Sequence, residues 1–96
     1  AAAGVDCARV KEALAGGSAA SRVLDVMGER MVRRNFAAGI EARLHHKDFG
    51  LVREAARQCG MPVPLAAVVD QQLNVLMAQG WGADDTASLL RVLELL

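Results

Sequence analysis

Lys47 and Asp48 stand side by side in a segment otherwise spaced as an apolar helix stripe, and they are the strongest chemical signal among the 96 residues. Ile40, Leu44, Leu51, Val52, Ala55 and Cys59 recur at helical spacing, and the gap at the centre of that stripe falls on the two charges. An uncompensated charge facing a core is costly, so the pair implies a compensating environment. Where this face borders a cleft, Lys47 would meet an anionic or polar ligand and Asp48 would orient a neighbouring amine or hydroxyl. The ordinary alternatives are a pair that snorkels to the domain edge, or an Asp48 that caps a shorter helix starting at Phe49.

Other reactive side chains give weaker patterns. His45 and His46 are adjacent on the same helix and point about 100° apart, without an acid or thiol at the i+4 spacing of a shared metal site. A solvated helix face is the expectation for them. Cys59 has no third group that would complete a nucleophile–base arrangement, and Cys7 and Cys59 match no metal-ligand spacing. Both thiols fit a reducing, cytoplasmic compartment. Residues 30–47 carry five basic side chains against the single acid Glu41, which could meet phosphate groups. Only Phe36 is an aromatic neighbour, and no helix-turn-helix turn is recognisable, so nucleic acid is not expected as a partner. Trp81, between two glycines, is expected to anchor the last loop on the core.

Helices must position these groups. Eighteen alanines and twelve leucines, against one isoleucine, one threonine and no tyrosine, favour helix over sheet. The spacing predicts an all-α bundle of about five helices forming a single domain over residues 1–96. The first runs from an Asp6 cap to Gly16-Gly17, and the second from a Ser18 cap to about Arg34, with Gly28 inside it as a possible site of close packing. The third runs from Ile40 to Cys59 with Gly60 behind it, and the fourth from Pro64 to Gly80. A fifth follows Asp84 or Asp85 and carries Leu89, Leu90, Val92, Leu93 and Leu96. Eleven basic and eleven acidic residues cancel, and no apolar run reaches the roughly 20 residues needed to span a bilayer. No β-branched run feeds a glycine cluster, so neither a Rossmann turn nor a P-loop is expected here. The opening Ala1-Ala2-Ala3-Gly4 reads as the last turn of a helix that begins upstream.

Asn35-Phe36-Ala37-Ala38-Gly39-Ile40, then Leu44, then Lys47-Asp48-Phe49-Gly50-Leu51-Val52 resembles the N/D-F-x-x-G-F … L-x-x-K-D-L segment of the β-hydroxyacid dehydrogenases. This is the family of 3-hydroxyisobutyrate dehydrogenase and tartronate semialdehyde reductase. The flanks agree: Ala3-Gly4-Val5-Asp6, Gly16-Gly17-Ser18 with Ser21-Arg22, and Pro62 to Leu65. Gly80-Trp81-Gly82-Ala83-Asp84-Asp85-Thr86-Ala87-Ser88-Leu89 resembles the closing G-x-G-x-x-D-x-S-A stretch. The resemblance covers nearly the whole chain.

It implies the helical C-terminal domain of a 6-phosphogluconate dehydrogenase-like enzyme, packed on an N-terminal Rossmann domain and closing the substrate cleft of a homo-oligomer. In such enzymes NAD or NADP exchanges hydride with a small 3-hydroxy acid or its semialdehyde. Lys47 would then approach the cofactor, Asp48 would support the cleft beside the catalytic amine, and Ile40 would stand where the family often carries a pocket-lining phenylalanine. The family's catalytic lysine matches no residue here, so no catalytic residue and no metal ligand are expected in this chain, and no cofactor is expected on it alone. The competing expectation is a free-standing helical module for dimerization or partner docking.

Overall fold

A computed structural model describes residues 1–96 and is entirely helical, without strands. Its residues group into two compact units, Ala1–Phe36 and Ala37–Leu96.

The first unit is a helical hairpin of α1 (Cys7–Ala15) and α2 (Arg22–Arg33). Asp6 starts α1 by accepting from the amides of Ala8 at 2.9 Å and Arg9 at 3.2 Å, satisfying donors that the first turn leaves open. The second helix starts later than a Ser18 cap predicts. Residues 17–20 close a turn through Ala20 N–H to the Gly17 carbonyl, so Ser21 takes the cap and accepts from Leu24 N–H at 2.9 Å. Gly28 lies under Lys11: a Cβ at Gly28 would come within 3.3 Å of Leu24 Cδ1 and 3.5 Å of the Lys11 stem. Glu29 ties the hairpin together, taking Lys11 Nζ at 3.0 Å from the other helix and Arg33 Nε from its own. The bond from Lys11, then that from Arg33, hold the Glu29 carboxyl below its ordinary range. Neither helix buries a residue completely.

The second unit contains α3 (Ala42–Cys59), α4 (Pro64–Ala78), a 3₁₀ turn (Thr86–Ser88) and α5 (Leu89–Glu94). Pro64 opens α4 at a position where its missing N–H costs nothing. Gly60 ends α3 in the left-handed region, φ 68°, and its N–H returns to the last turn. The core forms from Ala42, Leu76 and Val92, with Trp81 and Leu89 packed on it, so Trp81 does anchor the last loop. Leu73 and Ala87 are also buried. Gly82 passes so close over Met77 that a Cβ would lie 2.8 Å from its Sδ. Asp70 is buried in α4 and takes Arg53 of α3 at 2.5 Å.

Candidate functional site

The start of α3 is built by the loop before α5. Helix α3 has no side-chain cap, yet Ala42 N–H donates to the Asp84 carbonyl at 2.8 Å and Arg43 N–H to the Gly82 carbonyl at 2.9 Å. Two of the donors that a helix N-terminus leaves open are satisfied by this distant backbone. The third helix therefore starts at Ala42 and not at Ile40. Ile40 is drawn into an extended pairing, its N–H 3.2 Å from Asp85 Oδ1 and its carbonyl accepting from Thr86 N–H at 3.2 Å. Asp85 caps the 3₁₀ turn through Ala87 N–H at 2.8 Å, and the same carboxylate takes Gly39 N–H at 3.0 Å.

Helix α3 then presents two opposite faces. The packed face carries Ala42, His45, His46, Phe49 and Ala56, which are buried or half-buried. The outward face carries Leu44, Lys47, Asp48, Leu51, Val52, Ala55 and Cys59, all exposed. The apolar stripe in the sequence therefore marks the outward side, and the polar histidines line the inward one. His45 Nδ1 is hydrogen-bonded to Thr86 Oγ1 at 2.5 Å, and His46 Nε2 donates to Asn74 Oδ1 at 2.6 Å. His45 is thereby held in a part-buried bond while the His46 bond to Asn74 stays exposed, and each bridges α3 to another element of the unit.

Lys47 and Asp48 lie within the exposed apolar face, with side chains 63% and 56% exposed, and their charged atoms are 3.3 Å apart. They are not turned toward the core of this unit, and neither charge is desolvated within it. Asp48 is an interior residue of α3 and caps nothing. Ile40, at 49% exposure, joins them on the accessible surface near the start of the helix. Ile40, Lys47 and Asp48 are thus each accessible, Ile40 just before α3 and the charged pair in its first half.

The cations of the basic stretch have local counterparts. Arg33 meets Glu29, Arg34 stacks on Phe36 at 5.5 Å, Arg43 meets Glu41 and Lys47 meets Asp48. A depression of about 370 Å³ beside Gly50, Arg53, Glu54 and Arg57 has its guanidinium groups engaged by Asp70 and Glu54. No group of three His, Cys, Asp or Glu side chains is placed to hold a metal ion.

Sequence reasoning missed two arrangements. The first is the reach of Asp85 to Gly39 and Ile40, for which the only advance signal was an acid at the end of a glycine-containing loop. The second is Arg91, which lies 4.2 Å over Trp81 while bonding Asp84 at 2.5 Å and Ser88 at 2.8 Å. That stack fixes the loop whose carbonyls start α3.

Comparison with known proteins agrees with this architecture. The family described as NAD-binding of NADP-dependent 3-hydroxyisobutyrate dehydrogenase matches residues 1–93. The chain is 39% identical over 94 residues to the 2-hydroxy-3-oxopropionate reductase of Escherichia coli (strain K12), covering 98% of this chain and 32% of that protein. It is 33% identical over 92 residues to a probable mitochondrial 3-hydroxyisobutyrate dehydrogenase-like protein of Arabidopsis thaliana, covering 96% of this chain and 28% of that one. In fold, it matches the crystal structure of a 3-hydroxyisobutyrate dehydrogenase from Salmonella typhimurium with a TM-score of 0.91 over 95% of this chain and 32% of that one, at 19% identity. The chain spans about a third of the length of these relatives.

Proposed function

Because the chain belongs to the family described as NAD-binding of NADP-dependent 3-hydroxyisobutyrate dehydrogenase, we propose that it serves as the helical, cleft-closing domain of an NAD(P)-dependent oxidoreductase. The substrate class is a small 3-hydroxy acid or its semialdehyde, in line with the reductase that shares 39% of its residues. The observation that carries the reading is the family match over residues 1–93, and the exposure of Ile40, Lys47 and Asp48 is consistent with it.

A bound nicotinamide cofactor would supply the hydride. The residues here fit an edge contact with it and not its whole cradle: there is no strand with a glycine-rich turn for a pyrophosphate, whereas the Lys47 ammonium, paired with Asp48 but largely exposed, would reach a polar or anionic group by exchanging that partner. Asp48 limits where that ammonium swings and keeps the local charge balanced when no ligand is near. Ile40 offers an apolar wall. A Rossmann domain supplied by the longer protein would hold the cofactor, and the acid–base lysine would come from outside these residues. The 96-residue chain alone is then inactive.

The outward leucines support a partner surface. Leu44, Leu51 and Val52 are too apolar for a face whose natural neighbour is water, and their covering by a cofactor domain or a second subunit fits a homo-oligomeric, cytoplasmic enzyme. No helix is long and apolar enough to cross a membrane. Sedimentation at several concentrations tests assembly; a strictly monomeric protein would remove the oligomer from the reading.

The activity test uses the longer protein with NADH or NADPH and a panel of semialdehydes. Turnover of a small 3-carbon or branched 4-carbon semialdehyde is expected, and no turnover with any of them overturns the proposal. Lys47→Ala should raise the KM for the cofactor by roughly tenfold, the loss of one charge-assisted contact. Unchanged kinetics would return Lys47 to the role of a solvated surface charge.

A further inference from the structure

We propose that Asp85 is a positioning residue of the substrate cleft, a role that rests on the dehydrogenase reading above and adds a determinant of its specificity. Its side chain is almost completely buried, 3% exposed, and buried carboxylates persist only where hydrogen bonds replace water. Capping the 3₁₀ turn needs one oxygen, Oδ2, on Ala87 N–H at 2.8 Å. A serine would serve for that. The other oxygen does something a cap does not require: it reaches 45 and 46 residues back along the chain to two consecutive amides, Ile40 at 3.2 Å and Gly39 at 3.0 Å.

The result is a residue held by its backbone and free at its side chain. Ile40 gives its N–H to Asp85 and its carbonyl to Thr86 N–H, while its side chain stays half exposed. Two residues on, α3 begins against the carbonyls of Asp84 and Gly82, and the same helix carries Lys47 about 8 Å further along its axis. The wall and the helix bearing the cation therefore share one foundation. Ile40 becomes a fixed apolar stop whose discrimination between substrates differing by a methyl group depends on its not moving. A hydrophobic pocket distinguishes such substrates by about 10–200-fold only while its wall stays in place.

The experiment uses the full-length enzyme and two 3-hydroxy acids that differ by one methyl group, 3-hydroxypropionate and 3-hydroxyisobutyrate, assayed well below the melting temperature. Asp85→Asn and Asp85→Ser are compared with the wild type; the serine keeps an acceptor for Ala87 and removes the reach to Gly39 and Ile40. Both variants should raise KM by roughly tenfold, change kcat by less than about threefold, and flatten the kcat/KM ratio between the two acids by at least about threefold. In an Ile40→Ala background the same substitutions should leave that ratio unchanged, since the wall they position is gone. Variants of an active enzyme that lower only the melting temperature, or that flatten the ratio equally in the Ile40→Ala background, overturn the positioning role alone. A wild-type enzyme that turns over the semialdehyde panel but neither acid overturns this inference alone, and one that turns over nothing in the panel and neither acid overturns the dehydrogenase reading as well.

Discussion

The two units are stabilised by different physics although both are helical. Ala1–Phe36 closes its hairpin with side-chain caps and a half-buried ion pair, and neither of its helices buries a residue. Ala37–Leu96 has a dry centre at Ala42, Leu76 and Val92 and keeps four polar residues, Asp70, Asp85, Thr86 and Ser88, out of water. Burial removes polar partners from competition with solvent, so the second unit can hold a geometry to within a hydrogen bond. The first, latched through screened charges, is the part expected to open locally at the lowest free energy.

Truncating the core should separate the units most sharply. Leu76→Ala deletes a completely buried side chain and should cost about 2–5 kcal/mol in chemical denaturation. A loss below about 1 kcal/mol would mean that the second unit has no cooperative centre. A smaller effect is expected from Glu29→Gln. The folded-state carboxyl of Glu29 is held below the ordinary carboxylate range by Lys11 and Arg33, so its contribution is present above the unfolded carboxylate range and disappears as pH falls through the depressed value. Exchange of the α1 and α2 amides should therefore be faster in the variant at pH 7, equal to the wild type in strong acid, and closer to it at high salt. A difference that persists in acid would show that the hairpin is not latched electrostatically. Least of all should change in Gly28→Ala: alanine gains about 1 kcal/mol of helix propensity, offset by its approach to Leu24 and Lys11, leaving the unfolding midpoint nearly unmoved. A large loss would show that the hairpin crossing is tighter than its charges suggest.

The helices were legible because their punctuation is local. Asp6, Gly60 and Pro64 act within a turn of their own position, and each marks a boundary where expected. Ser18 misled because two serines compete for one cap, and the turn at residues 17–20 decides in favour of Ser21. Helix α3 misled for a deeper reason. Periodicity locates an apolar face but not what it faces, and Leu44, Leu51 and Val52 face away from the core of their own unit. That inversion turned His45 and His46 from an expected surface pair into bridges, and placed Lys47 and Asp48 outside. The family motifs single out Ile40, Lys47 and Asp48, and all three are exposed. Asp85 was legible as a cap; its second oxygen acts over more than forty residues, a range no local pattern reports.

The start of α3 also bears on synthesis. Its opening amides take their acceptors from Gly82 and Asp84, so on a ribosome the helix begins to grow with a ragged front until the loop has left the exit tunnel. Closing that long span is an entropic toll levied late, which ties the maturation of Ile40 to that of a loop more than forty residues further along. Pulse-labelled exchange should accordingly find Gly39, Ile40 and Ala87 acquiring protection in one kinetic step, after the middle of α3.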